Sequence, residues 1–126
     1  MTGLLFACLL ATAVDGDTLR CRDLASEGPQ GEVAELRADL DSVNGRVRLA
    51  RIDAPERGEP GFDEAKVALE QLINGQEVNC TLVDADPRVA GFQSRDRYGR
   101  PVARCSAGGR DLGNEMLSRA LAERWP

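Results

Sequence analysis

Arg48-Leu49-Ala50-Arg51-Ile52-Asp53-Ala54-Pro55-Glu56 is the stretch around which this chain of 126 residues is organised. Val47, Leu49 and Ile52 give it β-type apolar content, and Pro55 cannot donate to a ladder, so a strand is expected to stop there. Pro55 also biases Ala54 toward extended backbone, which fixes the direction in which Glu56 leaves. One cation and two carboxylates, Arg48, Asp53 and Glu56, thus surround a strand end. Strand ends and the loops they open are where rigid scaffolds carry chemistry. The plain alternative is a charged edge strand followed by a proline turn.

The length suits one domain with one core. There is no histidine, which excludes Ser-His-Asp triads, histidine general bases and histidine metal sites. Hydrolytic chemistry here must rest on carboxylates, arginines, tyrosine or a metal held by oxygen. The net charge of −5 argues against a nonspecific nucleic-acid coat, but it is unevenly spread. Asp23, Glu27, Glu32, Glu35, Asp39 and Asp41 stand against Arg37 in residues 23–41. Arg88, Arg95, Arg97, Arg100, Arg104 and Arg110 stand against Asp96 in residues 88–110. A cationic surface on an acidic protein is expected from the second segment.

Taken in order, residues 3–13 read either as the apolar core of an export signal ending in Ala-Thr-Ala or as a buried first strand, Leu9 to Val14. The run is too short to span a bilayer, so no membrane span is expected. Asp15-Gly16-Asp17-Thr18 follows, and Asp-Gly between apolar runs predicts a hairpin turn with glycine at positive φ. Asp17 and Asp53 each sit at the edge of an apolar strand, placed to converge on one hard cation that takes oxygen ligands. Residues 25–45 read as an elaborated hairpin connection whose 32–40 portion suits a short helix or a strand arm. Residues 61–75 predict a helix, with Phe62, Ala65, Leu69, Leu72 and Ile73 on one face and Gly75 at the C-terminal cap. Val78 to Val83 returns to strand, Asp96–Arg100 is a polar turn, and a last helix is expected over Leu112–Arg124. The outline is α+β: a small five-stranded OB-like β-barrel with two or three packed helices.

Three motifs together, Val14-Asp15-Gly16-Asp17-Thr18, Arg48 to Glu56, and Asp96-Arg97-Tyr98-Gly99-Arg100, resemble the staphylococcal nuclease (thermonuclease) family. The resemblance covers roughly residues 9–124, so residues 9–126 are read as one nuclease-like domain and 1–13 as the export segment or first strand. It implies a Ca²⁺-dependent hydrolase of DNA or RNA, with single strands preferred and a monomeric state. Asp17 and Asp53 would bind Ca²⁺ by side chain and Ala54 by its carbonyl, where the family commonly has threonine. Glu56 would hold or deprotonate the attacking water, and Arg48 and Arg100 would grip the phosphate. Asp15 and Thr18 would support the metal ligands, and Arg97 and Tyr98 would contact substrate. Elementary chemistry agrees, because two arginine forks and a divalent cation neutralise charge on the equatorial oxygens while a carboxylate orients water.

Relatives with this arrangement also imply a Cys80–Cys105 disulfide, closing a loop worth roughly 3 kcal/mol in the chain-entropy model, and an exported location. Buried apolar thiols, Cys21 included, are the alternative. The 25–45 connection is longer and more acidic than the family's compact hairpin, and no further helix follows the last one. The competing function is a catalytically silent OB-like module that binds nucleic acid or protein. It predicts losses among Arg48, Asp53, Glu56 or Arg100, and all four are present.

Overall fold

In the computed structural model, which describes residues 3–126, the early apolar run is a strand, β1 (Leu5–Ala13). Residues 1 and 2, the start of the segment read as signal or strand, lie outside the described residues. Burial in β1 falls on Phe6, Cys8 and Ala13, whereas Leu9 and Leu10 face solvent. The expected burial from Leu9 onward is therefore corrected. The register slips on either side of Leu10, and such a bulge turns successive side chains away from strict alternation.

β1 pairs antiparallel with β2 (Thr18–Ala25), and β2 with β3 (Arg46–Leu49). On its other edge β1 pairs with β5 (Val78–Leu82), which pairs with β6 (Val102–Ala107). A parallel pairing of β3 with β6, Arg48 opposite Val102, closes these five strands into the expected barrel. Closure hides the edges that an open sheet would expose. Leu19, Val47, Leu49, Val78 and Ala103 fill the interior. A short β7 (Arg110–Asp111) extends β6 as a hairpin.

The strand through Arg48–Glu56 is not continuous to Pro55. It breaks at Ala50-Arg51, where Arg51 adopts φ 65°, and resumes as β4 (Ile52–Asp53). β4 pairs with β8 (Glu123–Arg124).

Three helices cover the barrel. The 25–45 connection contains α1 (Gln30–Ser42), which buries Leu36 and Leu40, so its central part is a helix of thirteen residues. The helix α2 (Phe62–Ile73) buries Phe62, Ala65, Ala68, Leu69 and Ile73, the face that periodicity predicts. The last helix, α3 (Leu112–Ser118), is shorter than expected. The Asp111 carboxylate accepts the Asn114 N–H at its start. Past Ser118 the chain reaches Ala120 at φ 56° and then pairs as β8, so residues 119–124 leave the helix.

Both disulfides are cross-strand. Cys80 and Cys105 are directly opposite on β5 and β6, with Cα atoms 4.1 Å apart. Cys8 and Cys21 join β1 to β2, with Cα atoms 5.3 Å apart. The second pairing was not foreseen, because Cys8 lay in a run that also suited an export signal.

Gly16 is required for a reason other than turn geometry. It is absent from the positive-φ residues, but a Cβ there would sit 2.6 Å from Ala65 Cβ and 2.8 Å from Ala54 Cβ. Glycine lets the turn before β2 press against α2 and the segment after β4. Gly16→Ala should therefore destabilise the protein by about 1–3 kcal/mol, as overpacking does. Urea denaturation checks this, and an unchanged midpoint would show that α2 moves away freely.

Candidate active site

Closure of the barrel assembles the site. Pairing of β2 with β3 sets Thr18 opposite Arg48, and the Arg48 N–H donates to the Pro101 carbonyl at 2.9 Å. The Leu49 N–H donates to the Asp17 carbonyl at 2.8 Å. Three segments remote in sequence thus meet at one end of β3.

Asp17 is the centre. Its carboxylate is buried; Oδ2 accepts the Ala54 N–H at 2.8 Å, and Oδ1 accepts the Thr18 hydroxyl at 3.1 Å. Asp15 Oδ1 accepts the Asp17 N–H at 3.0 Å. Arg48 Nη2 lies 3.5 Å from Asp17 Oδ2 and 3.8 Å from Asp53 Oδ1. One guanidinium therefore stands between two carboxylates that the sequence separates by 36 positions.

Burial pushes the Asp17 carboxyl up from its ordinary 3.8 to about 7, against the pull of Arg48. Asp15 raises it further, and the Ala54 N–H lowers it. The physical cause is loss of water around the anion.

Arg100 is held by the Asp96 turn. Asp96 Oδ1 accepts the N–H groups of Tyr98 and Arg100, and Asp96 Oδ2 accepts Arg100 Nε at 2.7 Å. The guanidinium reaches Thr18, with Nη1 3.4 Å from Oγ1. Tyr98 is exposed and carries both Arg97 and Arg100 over its ring, at 5.0 and 5.3 Å. Glu56 is exposed on the loop after Ala54, and its N–H donates to Glu59 Oε1 at 2.7 Å. Its side chain makes no hydrogen bond or ion pair among the described residues, so the structure does not bring Glu56 into the cluster. Asp96 carries the Arg100 turn although it was assigned no role; an Asp three residues before a glycine was the readable signal.

Among the described residues no group of three Asp, Glu or Cys is placed to hold a metal. The donors at hand are the carboxylates of Asp17 and Asp53 and the backbone at Ala54. That set is all oxygen and includes the buried carboxylate of Asp17. It fits a hard cation whose remaining ligands are water or substrate.

The cationic surface expected from residues 88–110 is largely answered by carboxylates. Arg88 pairs with Asp86, Arg95 with Asp39, Arg100 with Asp96, Arg104 with Asp111 and Arg110 with Glu115. Arg97 alone of the six has no ion pair among the described residues. Net charge along the chain did not reveal this, because four of the five partners lie outside the segment.

The Asp17 shift has a consequence for stability. Its folded pKa lies above its unfolded value, so between about pH 4 and 7 the folded state binds more protons. Without metal, stability should fall as pH rises through that window. Asp17→Asn cannot titrate, so its thermal midpoint in chelator should fall less than that of the wild type between about pH 5 and 8. Parallel curves for the two proteins would contradict the burial of the charge.

Residues 46–125 match the family described as staphylococcal nuclease homologue. A rice protein (Oryza sativa subsp. japonica) named "Probable staphylococcal-like nuclease CAN1" is 34% identical over 77 residues, which cover 61% of this chain. Those residues are 20% of the rice protein, so the chain spans about one fifth of that relative's length. The family match begins at Arg46 and so includes Arg48, Asp53, Glu56 and Arg100 but not Asp17. With this match over more than half of its length, on a closed five-stranded barrel with three helices, the chain belongs to the staphylococcal nuclease homologue family.

Proposed function

We propose that the protein is a Ca²⁺-dependent nuclease that hydrolyses phosphodiester bonds of DNA or RNA. The observation that carries this reading is Arg48 standing between Asp17 and Asp53, with Arg100 tied to Thr18 beside them. The all-oxygen donors Asp17, Asp53 and Ala54 are the residues that would hold Ca²⁺. When bound, Ca²⁺ supplies positive charge to the phosphate without proton transfer.

The chain's own groups supply the rest. Arg48 and Arg100 grip the non-bridging phosphate oxygens, where charge grows as water attacks. Glu56 orients that water and takes its proton; its exposed position leaves it room to turn toward the reacting phosphate. Asp15 and Thr18 hold the Asp17 backbone and carboxylate in place. Arg97 and Tyr98 receive the strand, with Tyr98 offering an exposed ring for a base to stack on. An exposed ring favours unpaired bases, hence a single-stranded substrate. Two disulfides support an oxidising, exported setting.

Release of acid-soluble nucleotides from denatured DNA tests the reading. Activity should appear with Ca²⁺ and vanish in excess chelator; intact DNA in both would overturn it, and activity in chelator would remove Ca²⁺ from it.

The two arginines should be intolerant of lysine. A planar fork can bind two phosphate oxygens at once, and an ammonium cannot copy it. Arg48→Lys and Arg100→Lys should each lower kcat by about 10²–10³-fold, with thermal midpoints near that of the wild type. Lysine variants within a few-fold of the wild type would show that charge, not fork geometry, is what matters.

A further inference from the structure

Arg51 is an anomaly that the nuclease site does not use. It holds φ 65°, a backbone region that residues bearing a Cβ rarely adopt. Its Nη1 is buried without any hydrogen-bond partner. Buried guanidinium nitrogens are ordinarily paired, because an unmet charged donor forfeits its hydration. Strained backbone of this kind concentrates where a ligand is held.

Arg51 lines a cavity of about 460 Å³ bounded by the β3–β4 turn, β6, α3 and β8. Two further arginines, Arg104 and Arg124, line it against a single carboxylate, Asp111. Asp111 Oδ2 lies 3.5 Å from Arg104 Nη2, while Arg51 and Arg124 have no ion pair among the described residues. On a protein of net charge −5, an excess of cations around one hollow is a local feature. Ile52, Val83 and Leu117 give the same cavity an apolar side. Its volume lies within the range of small-ligand sites, about 300–1,000 Å³. Asp17, Arg48, Asp53 and Arg100 are not among its lining residues.

We propose that this cavity is a second binding site, for a phosphate group gripped by Arg51 with Arg104 and Arg124 beside it. A phosphate offers several acceptor oxygens to guanidinium forks and meets the donor that the fold leaves unpaired. The phosphate comes either free or on a mononucleotide, whose organic body the apolar side would cover. The site does not depend on the nuclease reading, because binding is measured without turnover.

The test is an NMR titration of the metal-free protein with inorganic phosphate and, separately, with adenosine 5′-monophosphate, at constant ionic strength. Both should move the Arg51 Nε–H resonance. Tighter binding of the nucleotide assigns the phosphate to a nucleotide; equal binding assigns it to the free anion. Arg51→Asn keeps a residue that tolerates the left-handed backbone and removes the fork, and should weaken binding, read from the backbone amides of Arg104, Gly113 and Asn114 that line the cavity, about ten-fold or more. Arg124→Gln gives the same readout if Arg51→Asn does not fold. In Arg104→Gln, altered at the edge of the same cavity, the Arg51 Nε–H resonance should titrate more weakly than in the wild type. An Arg51 resonance unmoved by both probes would show a cavity that holds water alone, and would overturn the proposal. So would binding that neither the Arg51 nor the Arg124 change weakens.

Discussion

Arg48 closes the barrel with its backbone and holds the site with its side chain. Its N–H meets the Pro101 carbonyl across the parallel β3–β6 seam, and its guanidinium meets Asp17 and Asp53. Parallel closure between strands separated by more than fifty residues is entropically slow to find. Once formed, it fixes Thr18, Arg48 and the Asp96 turn relative to one another through backbone hydrogen bonds. The site is therefore a property of the closed barrel and not of any single loop. Buried Val47, Leu49 and Ala103 supply the apolar contact along that seam.

The electrostatics follow from this placement. Asp17 is carried into the barrel mouth by a turn whose Gly16 packs against Ala54 and Ala65. The carboxylate loses water there and keeps one guanidinium, one hydroxyl and one backbone N–H as partners. Those partners do not cancel the burial cost, which is why its pKa stays raised. Asp53, far more exposed, lies across Arg48 from it. Burial of this kind is what distinguishes the Asp17–Arg48 pair from a surface ion pair.

Much of this was readable in the residues. Asp17, Arg48, Asp53 and Arg100 stand at strand ends or turns that period-two and turn signals mark, and α2 announces itself by a clean apolar face. Other features were hidden for physical reasons. In α1 only Leu36 and Leu40 are buried out of thirteen residues, too thin a stripe to separate a helix from a polar arm. The Cys8–Cys21 bond depends on register across β1 and β2, which a bulge shifts. Gly16 suited a positive-φ turn equally well, because sequence shows the missing Cβ but not the two alanines that exclude it. The Ala50-Arg51 break carries no glycine or proline, so nothing local marks it.

Charge is where sequence and structure part most instructively. A segment with six arginines and one aspartate reads as a cationic platform, yet five of those arginines face carboxylates in the fold. Asp39, on the acidic helix α1, reaches across 56 positions to Arg95. The acidic segment thus supplies one of the five partners, and the other four, Asp86, Asp96, Asp111 and Glu115, stand within or next to the arginine-rich segment. Exposed pairs of this type contribute little to stability, commonly below about 1 kcal/mol. Their larger effect is on the field that an approaching polyanion meets, because each paired arginine presents a dipole where a bare cation would present a full charge. The long-range field is weakened by this pairing, and Arg97 is the arginine of the segment that has no carboxylate partner among the described residues. A field built this way is short-ranged, falling off within a few ångströms of each pair as dipole fields do.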